Sequence, residues 1–224
     1  SVTTDEDTPV AITMTGSDVE GDDLTFTVTS GPSNGTYNGT TYTPNANFYG
    51  SDSFTYVASD GSDNSDEATV SITVNAVNDL PVVDDISVTT DEDTPVAITM
   101  TGSDADGEEL TFTVTSGPSN GTYDGTTYTP DADYNGADSF TFSASDGSLS
   151  DTATVSISVS PVNDAPVLSA IADMTTQEDV EVDIILSATD VDDGDILIYS
   201  VSSNNMNVTA GVSGNVLTLT PALN

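Results

Sequence analysis

Residues 1–18 read SVTTDEDTPVAITMTGSD, and the same letters return in the same order as residues 87–104. Within this stretch the apolar Val10, Ile12 and Met14 alternate with smaller or polar neighbours. Successive side chains of a β-strand point to opposite faces of a sheet, so this period of two predicts a half-buried strand. The same period returns in three further stretches of the first 79 residues: 24–29, 54–58 and 68–74. No stretch shows a helical period, so we predict an all-β protein.

The exact repeat, with an offset of 87 − 1 = 86 residues, indicates a tandem array of small domains. The phrase Val77–Pro81 returns as Val162–Pro166, where a third and more diverged copy begins. We place the domains at 1–79, 80–164 and 165–224, and expect the first to lack its N-terminal strand and the third its last two strands. Six to seven short strands per copy predict a two-sheet β-sandwich. This organisation fits a window cut from a longer array. It also fits end domains that are completed by strands of a neighbouring chain.

The composition excludes several classes of function. The chain has 38 Asp and Glu, no Lys, Arg, His or Cys, and a formal net charge of −38. The absence of cationic side chains argues against nucleic acid and anionic membrane surfaces as partners. Zinc sites, imidazole catalysis, thiol nucleophiles and disulfides are also excluded, and no stretch reaches the roughly 20 apolar residues of a membrane span. The imbalance of charge implies a missing counter-charge, for which a divalent metal is the simplest candidate.

The acids of the first repeat fall in turns and at strand ends, whereas the outward strand positions carry Thr and Ser. Clustering of this kind favours specific sites over a uniformly acidic surface. Calcium takes 6–8 oxygen ligands from carboxylates, amides and carbonyls, so it suits such clusters. The alternative is ordinary turn chemistry, because Asp and Asn stabilise turns without any metal.

Four motifs in a fixed order resemble those of the cadherins. They are Glu92-Asp93-Thr94-Pro95, Ser103-Asp104-Ala105-Asp106-Gly107, Ala144-Ser145-Asp146-Gly147 and Val162-Asn163-Asp164-Ala165-Pro166. The chain is most similar to the bacterial cadherin-like and immunoglobulin-like tandem repeats of large surface adhesins. This resemblance implies a linear array of immunoglobulin-like (cadherin-like) β-sandwich domains, located outside the cell and binding Ca²⁺.

Carried over by position, the resemblance implies three sets of calcium ligands. The junction between the first two repeats would use Glu6, Asn78, Asp79, Asp104, Asp106 and Asp146. The next junction would use Glu92, Asn163, Asp164, Asp190 and Asp192. Asp18, Glu20 and Asp60 would face a domain that precedes Ser1. Asp52 and Asp138 fall near an acidic pair that cadherins carry around an Arg, and they are left without a ligand role.

These expectations favour a calcium-rigidified structural module of a bacterial surface adhesin or stalk, with calcium and the neighbouring repeats as its partners. One alternative is a subunit of an extracellular filament or surface layer, a homo-polymer in which strands are exchanged between chains. Another is a carbohydrate-binding module. We expect no enzyme activity, because the acids recur in every repeat and do not form a single active centre.

Overall fold

The structure is a computed structural model and describes residues 1–192 and 194–222. These residues form β-strands, turns and loops, and they contain no helix that is long and apolar enough to cross a membrane. The alternating stretches of the sequence therefore fold as strands, and the predicted all-β class of tandem β-sandwich domains is confirmed.

The first repeat contains seven strands, in agreement with the predicted number. They are β1 (Val2–Asp5), β2 (Val10–Ala11), β3 (Thr25–Ser30), β4 (Gly35–Tyr37), β5 (Thr41–Pro44), β6 (Gly50–Ser59) and β7 (Ala68–Asn75).

The second repeat contains nine strands, because short edge pieces add to the predicted set. They are β8 (Val82–Val83), β9 (Ile86–Asp91), β10 (Val96–Ala97), β11 (Gly102–Ser103), β12 (Thr111–Ser116), β13 (Gly121–Tyr123), β14 (Thr127–Pro130), β15 (Gly136–Ser145) and β16 (Ser150–Ser160). The described part of the third repeat contains β17 (Val167–Leu168), β18 (Val182–Ile185), β19 (Ala188–Thr189), β20 (Val208–Ser213) and β21 (Val216–Pro221).

The chain forms two compact units. The first comprises Ser1–Ile86, Thr99–Gly117 and Phe140–Val155, and the second comprises Ser87–Ile98, Pro118–Ser139 and Ser156–Asn224. In the first unit, a four-stranded sheet has the order β1-β7-β6-β3 and a three-stranded sheet has the order β2-β5-β4. Strand β1 runs parallel to β7, and the other neighbours are antiparallel. The pair β8–β11 and the pairing of β12 with β15 also belong to this unit.

The hydrophobic core of the first repeat lies between its two sheets. Ile12 and Tyr42 come from the side of the three-stranded sheet, and Phe54, Ile72 and Val74 come from β6 and β7. All five side chains are buried, at 5% exposure or less. Burial of apolar side chains at alternate strand positions is the principal driving force for this sandwich, at roughly 1.5–3 kcal/mol for each large side chain.

Two details differ from the predicted pattern. Strand β2 stops at Ala11, although Ile12 is buried and its N–H donates to Thr40 O (2.9 Å), so the chain leaves the ladder but not the core. Asp52 was expected in a turn, but it lies inside β6 and is only 8% exposed. The prediction that all acids fall in turns and at strand ends is therefore wrong at this position, because hydrogen bonds stabilise a carboxylate within the sandwich.

In the second unit, two three-stranded sheets have equivalent orders. The sheet β10-β14-β13 pairs Val96 with Tyr128, and the sheet β18-β21-β20 pairs Val182 with Leu219. In the first repeat, β2 and β5 show the same register, with Val10 opposite Tyr42. The small pair β17–β19 also belongs to this unit.

Candidate metal centres at the two linkers

Glu6 is held at the end of the parallel ladder between β1 and β7. Its N–H donates to Asn75 O (2.9 Å), one residue beyond the last pair of that ladder, Asp5 with Asn75. The side chain is only 4% exposed, and its Oε1 accepts a hydrogen bond from Val77 N (2.5 Å). The fold therefore places a buried carboxylate against the linker that follows β7.

Two further acids meet Glu6 at this linker. Asp79 N donates to Asp106 Oδ2 (2.7 Å), and Asp106 N donates to Asp104 Oδ1 (2.9 Å). One carboxylate oxygen from each of Glu6, Asp79 and Asp106 lies within 4.8 Å of the other two. A second group with the same spacing consists of Asp104, Asp106 and Glu108. The two groups share Asp106, and together they form the first acidic cluster.

Several oxygens of the first acidic cluster are buried without a hydrogen-bond partner. They are Glu6 Oε2, Asp79 Oδ2 and Asp104 Oδ2. A buried, unpaired polar atom typically costs about 1–3 kcal/mol, and more when it is charged. Desolvation, followed by the charges of Asp106, Asp7 and Asp104, raises the pKa of Asp79 above its ordinary value. The chain has no cationic side chain to neutralise this cluster.

The remaining predicted ligands of this junction lie together beside the linker. Asn78 Nδ2 donates to Asp146 Oδ2 (2.8 Å) and to Asp79 O (2.8 Å). Asp146 Oδ1 accepts hydrogen bonds from the N–H groups of Ser148 and Leu149. The Asn78 amide, followed by those two N–H groups, lowers the pKa of Asp146 and keeps it ionised.

The second linker repeats this arrangement within the second unit. Glu92 is 4% exposed, and its Oε1 accepts a short hydrogen bond from Val162 N. Asp164 N donates to Asp192 Oδ2 (2.7 Å), and Asp192 N donates to Asp190 Oδ1 (3.1 Å). Oxygens of Glu92, Asp164 and Asp192 again lie within 4.8 Å of one another, as do those of Asp190, Asp192 and Asp195. Asn163 Nδ2 donates to Asp164 O, as Asn78 does at the first linker.

The second linker carries an additional acidic group. One oxygen from each of Asp93, Asp133 and Asp164 lies within 4.8 Å of the other two. Desolvation, followed by the charges of Asp133, Asp192, Asp93 and Glu92, raises the pKa of Asp164. The second acidic cluster consists of Glu92, Asp93, Asp133, Asp164, Asp190, Asp192 and Asp195.

Two substitutions distinguish the otherwise similar linkers. Asn135 Nδ2 donates to Glu92 Oε2 (3.2 Å), whereas the position 86 residues earlier is Tyr49, and Glu6 Oε2 has no partner. Asp133 is likewise replaced by Asn47 in the first repeat. The first cluster therefore has one acid fewer and one unsatisfied oxygen more at these positions.

Three predicted ligands are not brought together. Among the residues that the structure describes, Asp18, Glu20 and Asp60 join no group of three acids with this spacing. Asp18 Oδ1 accepts from Gly21 N (2.9 Å), and Asp60 Oδ1 accepts from Ser62 N (2.6 Å) and Asp63 N. The backbone N–H groups of Asp63 and Ser62 lower the pKa of Asp60. In this structure Asp18 and Asp60 thus act as turn residues.

Four acids of the clusters were not predicted from the sequence. Asp93 directly follows Glu92, and Glu108 lies two residues beyond Asp106, so their spacing was a usable signal. Asp195 lies three residues beyond Asp192 and offered the same signal. Asp133 lies 40 residues beyond Asp93, and only the fold brings these two residues together. The left-handed backbone of Asp133 (φ 58°) lets its N–H donate to Asp93 Oδ1 (3.2 Å).

Asp52 forms a different kind of buried carboxylate. Its Oδ1 accepts from Ser33 N (3.0 Å) and Ser53 N (2.8 Å), and its Oδ2 accepts from Asn34 N (3.0 Å) and Tyr42 Oη (2.9 Å). Burial would raise the pKa of Asp52, but these four hydrogen bonds outweigh it and lower the pKa below its ordinary value. Asp138 and Tyr128 form the same arrangement in the second repeat. Both carboxylates are fully paired, which indicates a structural role.

The strands, sandwich core and linker clusters together define a tandem β-sandwich repeat protein with acidic inter-repeat linkers. The model of the bacterial Ig domain family matches residues 1–73 and 78–158, more than half of the chain, and the chain belongs to this family. No curated protein matches the chain.

Several solved structures are similar over most of the chain. Drosophila N-cadherin EC1–4 shares 16% identity with a TM-score of 0.42, over all of this chain and 65% of that one. PcdhgB3 EC1–4 shares 14% identity with a TM-score of 0.46, over 99% of this chain and 65% of that one. An endo-fucoidan hydrolase of glycoside hydrolase family 107 shares 22% identity with a TM-score of 0.34, and the chain spans 34% of its length. All three TM-scores are below 0.5, so the family assignment rests on the bacterial Ig match.

Proposed function

We propose that the chain is an extracellular structural repeat module of a bacterial surface adhesin or stalk, and that Ca²⁺ stiffens its two linkers. The observation that carries this proposal is Glu6 Oε2, an oxygen of a 96% buried side chain that has no partner and shares its cluster with Asp79 and Asp106. A chain without cationic side chains needs an external cation to offset such charges.

The donor set fits calcium. Carboxylates, an amide oxygen and backbone carbonyls are hard oxygen ligands, and calcium accepts 6–8 of them in flexible geometry. Glu6, Asp79, Asp104 and Asp106 would hold an ion at the first linker, with the carbonyl oxygen of Asn78 as a further candidate. Glu92, Asp164, Asp190 and Asp192 would hold an ion at the second, with Asn163 in the position of Asn78. The fit is poorest for Asp18, Glu20 and Asp60, which form no such group.

The residues themselves explain how a cation would stiffen a linker. Glu6 belongs to the body of the first repeat, Asp79 to the linker, and Asp104 and Asp106 to the loop after β11. Unit charges about 4 Å apart interact by several kcal/mol near a protein surface. Without a cation these carboxylates repel one another, and the hydrogen bonds donated by Val77 N, Asn78 Nδ2 and Asp79 N oppose that repulsion. A bound cation supplies attraction in place of that repulsion.

The proposed affinity follows from the class of site. Extracellular calcium modules have dissociation constants of about 10⁻⁴ to 10⁻³ M. At a tenfold excess of calcium over the dissociation constant, each site would stabilise the folded state by about 1.4 kcal/mol.

The experiment is calcium titration of the full chain by isothermal calorimetry, combined with small-angle scattering with and without chelator. We expect saturable binding in the millimolar range or tighter, and a narrower distribution of particle dimensions with calcium. Glu6→Gln should weaken binding at one linker, whereas Asp23→Asn removes one charge from an exposed loop acid and should leave binding unchanged. Absence of saturable binding, or equal effects of the two variants, would overturn the proposal.

The alternative functions keep less support. The acidic clusters recur at both linkers, which fits a structural role better than a single catalytic or carbohydrate-binding centre. The polymeric role stays a prediction, and its test is the oligomeric state of the chain at high concentration with calcium.

A further inference from the structure

The hairpin turn between β4 and β5 holds an asparagine by three hydrogen bonds to a single oxygen. Asn38 Oδ1 accepts from Thr40 N (3.0 Å), Thr40 Oγ1 (3.1 Å) and Thr41 N (2.9 Å). Asn38 N closes the turn by donating to Thr41 O (3.1 Å). Within the residues that the structure describes, the amide nitrogen of the same side chain has no partner. The side-chain oxygen is therefore fixed, and the amide nitrogen faces solvent on an exposed residue.

The residue that follows Asn38 is a glycine with an accessible backbone nitrogen. Gly39 is exposed, has a left-handed backbone (φ 101°), and has no atom within 4 Å of the place that a Cβ would occupy. Its N–H donates no hydrogen bond in the described part of the chain. Because this nitrogen belongs to the same chain segment as Asn38 Cγ, its attack on that carbon is intramolecular and closes a succinimide ring.

The chemistry that this arrangement supports is loss of ammonia from the asparagine. Solvent base removes the Gly39 N–H proton, the bond between Gly39 N and Asn38 Cγ forms, and negative charge develops on Oδ1. The bond between Cγ and Nδ2 then breaks, and with a proton from solvent the amide leaves as ammonia. Water opens the ring at either carbonyl and leaves aspartate or isoaspartate. One water is consumed and one ammonia released, and nothing is oxidised or reduced.

We propose that the folded chain directs deamidation to Asn38, so that this turn is a self-modification site of the first repeat. The three donors to Oδ1 lie where the negative charge develops, and donors in that position stabilise the transition state. The reaction needs only the chain and water. It involves no residue of the two acidic clusters, so it is independent of the calcium proposal.

The second repeat carries the product of this reaction in the same turn. Asp124 lies 86 positions after Asn38 and precedes Gly125, whose φ is 105°. Its Oδ1 accepts from Thr126 N (2.9 Å), Thr126 Oγ1 (2.9 Å) and Thr127 N (2.8 Å). The turn thus accepts a carboxylate with unchanged hydrogen bonds. The N–H groups of Thr126 and Thr127, followed by the Thr126 hydroxyl, lower the pKa of Asp124, and an ionised carboxylate resists renewed ring closure.

Two further Asn-Gly-Thr sequences have the same three letters in a different environment. They begin at Asn34 and Asn120, and their half-buried glycines open β4 and β13. A Cβ added to Gly35 would lie 2.6 Å from Thr43 O, and one added at the equivalent position of the second repeat would lie 2.5 Å from Thr129 O. These backbones are packed against the neighbouring strand, and ring closure would require them to leave it. The fold therefore opposes the reaction at both sites.

The test is mass spectrometry of the full chain after incubation in mildly alkaline buffer, folded and in urea. The chain has no Lys or Arg, so peptic digestion at acidic pH and tandem spectra locate each site. In the folded chain we expect deamidation at Asn38 at least about tenfold faster than at Asn34 or Asn120, because only Asn38 has donors on its Oδ1. In urea the three identical tripeptides should react at similar rates, because the turn and the strands are lost.

Three variants test the role of the turn. Asp124→Asn places an amide in the equivalent turn and should create a second fast site in the folded chain. Thr40→Val removes one donor to Oδ1 but keeps the shape of the side chain. It should slow the reaction of Asn38 at least about threefold in the folded chain and leave the rate in urea unchanged. Thr36→Val makes the same change after the packed Asn-Gly pair, and it should leave the rate at Asn38 unchanged.

Three results would overturn the proposal. One is a folded chain in which Asn38 reacts no faster than Asn34 and Asn120. Another is an Asp124→Asn variant without a second fast site. The third is a Thr40→Val variant that reacts at the parent rate when folded, or that is slowed equally in urea.

Discussion

Two carboxylates of the first repeat, Asp52 and Glu6, are almost equally buried but differ in their partners. Asp52 accepts four hydrogen bonds from within its own repeat. Glu6 accepts one from Val77 N, and its other oxygen has no partner. Glu92 is intermediate in its number of hydrogen bonds, because Val162 N donates to one of its oxygens and Asn135 Nδ2 donates to the other. Burial alone therefore does not distinguish a structural carboxylate from a candidate ligand, whereas the number of donors does.

The largest effect is expected from Asp52→Ala. The change leaves three backbone N–H groups and the Tyr42 hydroxyl without their acceptor, which should lower the free energy of unfolding of the first repeat by about 3–5 kcal/mol. Urea denaturation in calcium and in chelator measures this loss. Asp138→Ala should produce a similar loss in the second repeat. If calcium restores the stability of Asp52→Ala, the distinction between Asp52 as a structural carboxylate and Glu6 as a candidate ligand is wrong.

The effect of Glu6→Gln on stability should differ in sign between chelator and excess calcium. In chelator the variant should be as stable as the parent or more stable, because it removes an uncompensated buried charge. In excess calcium it should lose the stabilisation of one site, about 1.4 kcal/mol at a tenfold excess. Melting temperatures in the two conditions measure the difference. A variant that is equally destabilised with and without calcium would show that Glu6 is a structural carboxylate like Asp52.

The dependence of stability on pH should separate the two kinds of acid in chelator. Asp79 and Asp164 have raised pKa values, so their folded forms bind protons more tightly than the unfolded chain. Stability should therefore rise as the pH falls from neutral towards about 4, the ordinary range of Asp. Asp52 and Asp138 have lowered pKa values, so their stabilisation is complete above that range and is lost as the pH falls below it.

Urea denaturation between pH 7 and pH 2.5 measures this profile. We expect a maximum at mildly acidic pH in chelator. In calcium the rise should disappear, because protons compete with the cation for Asp79 and Asp164. A profile that is identical in the two conditions would contradict the assignment of these residues as ligands.

The smallest effect is expected from Tyr49→Asn, which gives the first repeat the residue of the second at this position. The amide should donate to Glu6 Oε2, as Asn135 does to Glu92. We expect a gain of about 0.5–1.5 kcal/mol in chelator, typical of one added hydrogen bond. Calorimetry should also show calcium binding at the first linker weakened by a few fold. Asn135→Ala provides the converse test, because it removes the amide that donates to Glu92. If both variants change stability and calcium affinity in the same direction, the proposed effect of this amide donor is wrong.

The structure brings the predicted ligand residues closest together where the chain is locally constrained. Asp104 and Asp106 lie two residues apart, and Asp79 lies in a linker that Pro81 follows, so sequence spacing keeps them near the end of a repeat. Asp133 was missed because its approach to Asp93 spans 40 residues and depends on a left-handed turn. Asp52 was predicted to lie in a turn or at a strand end like the other acids of the first repeat, and its partners Ser33 and Asn34 become visible only when the strands pair.

The sequence by itself determined the β-sandwich class, the tandem arrangement and the absence of any side-chain counter-charge, because these follow from a period of two, an exact repeat and composition. Only the tertiary structure decided which acids share a cluster and which are satisfied by hydrogen bonds. These properties depend on contacts between residues far apart in the chain, since a carboxylate in a turn and a carboxylate in a core have the same letter in the sequence.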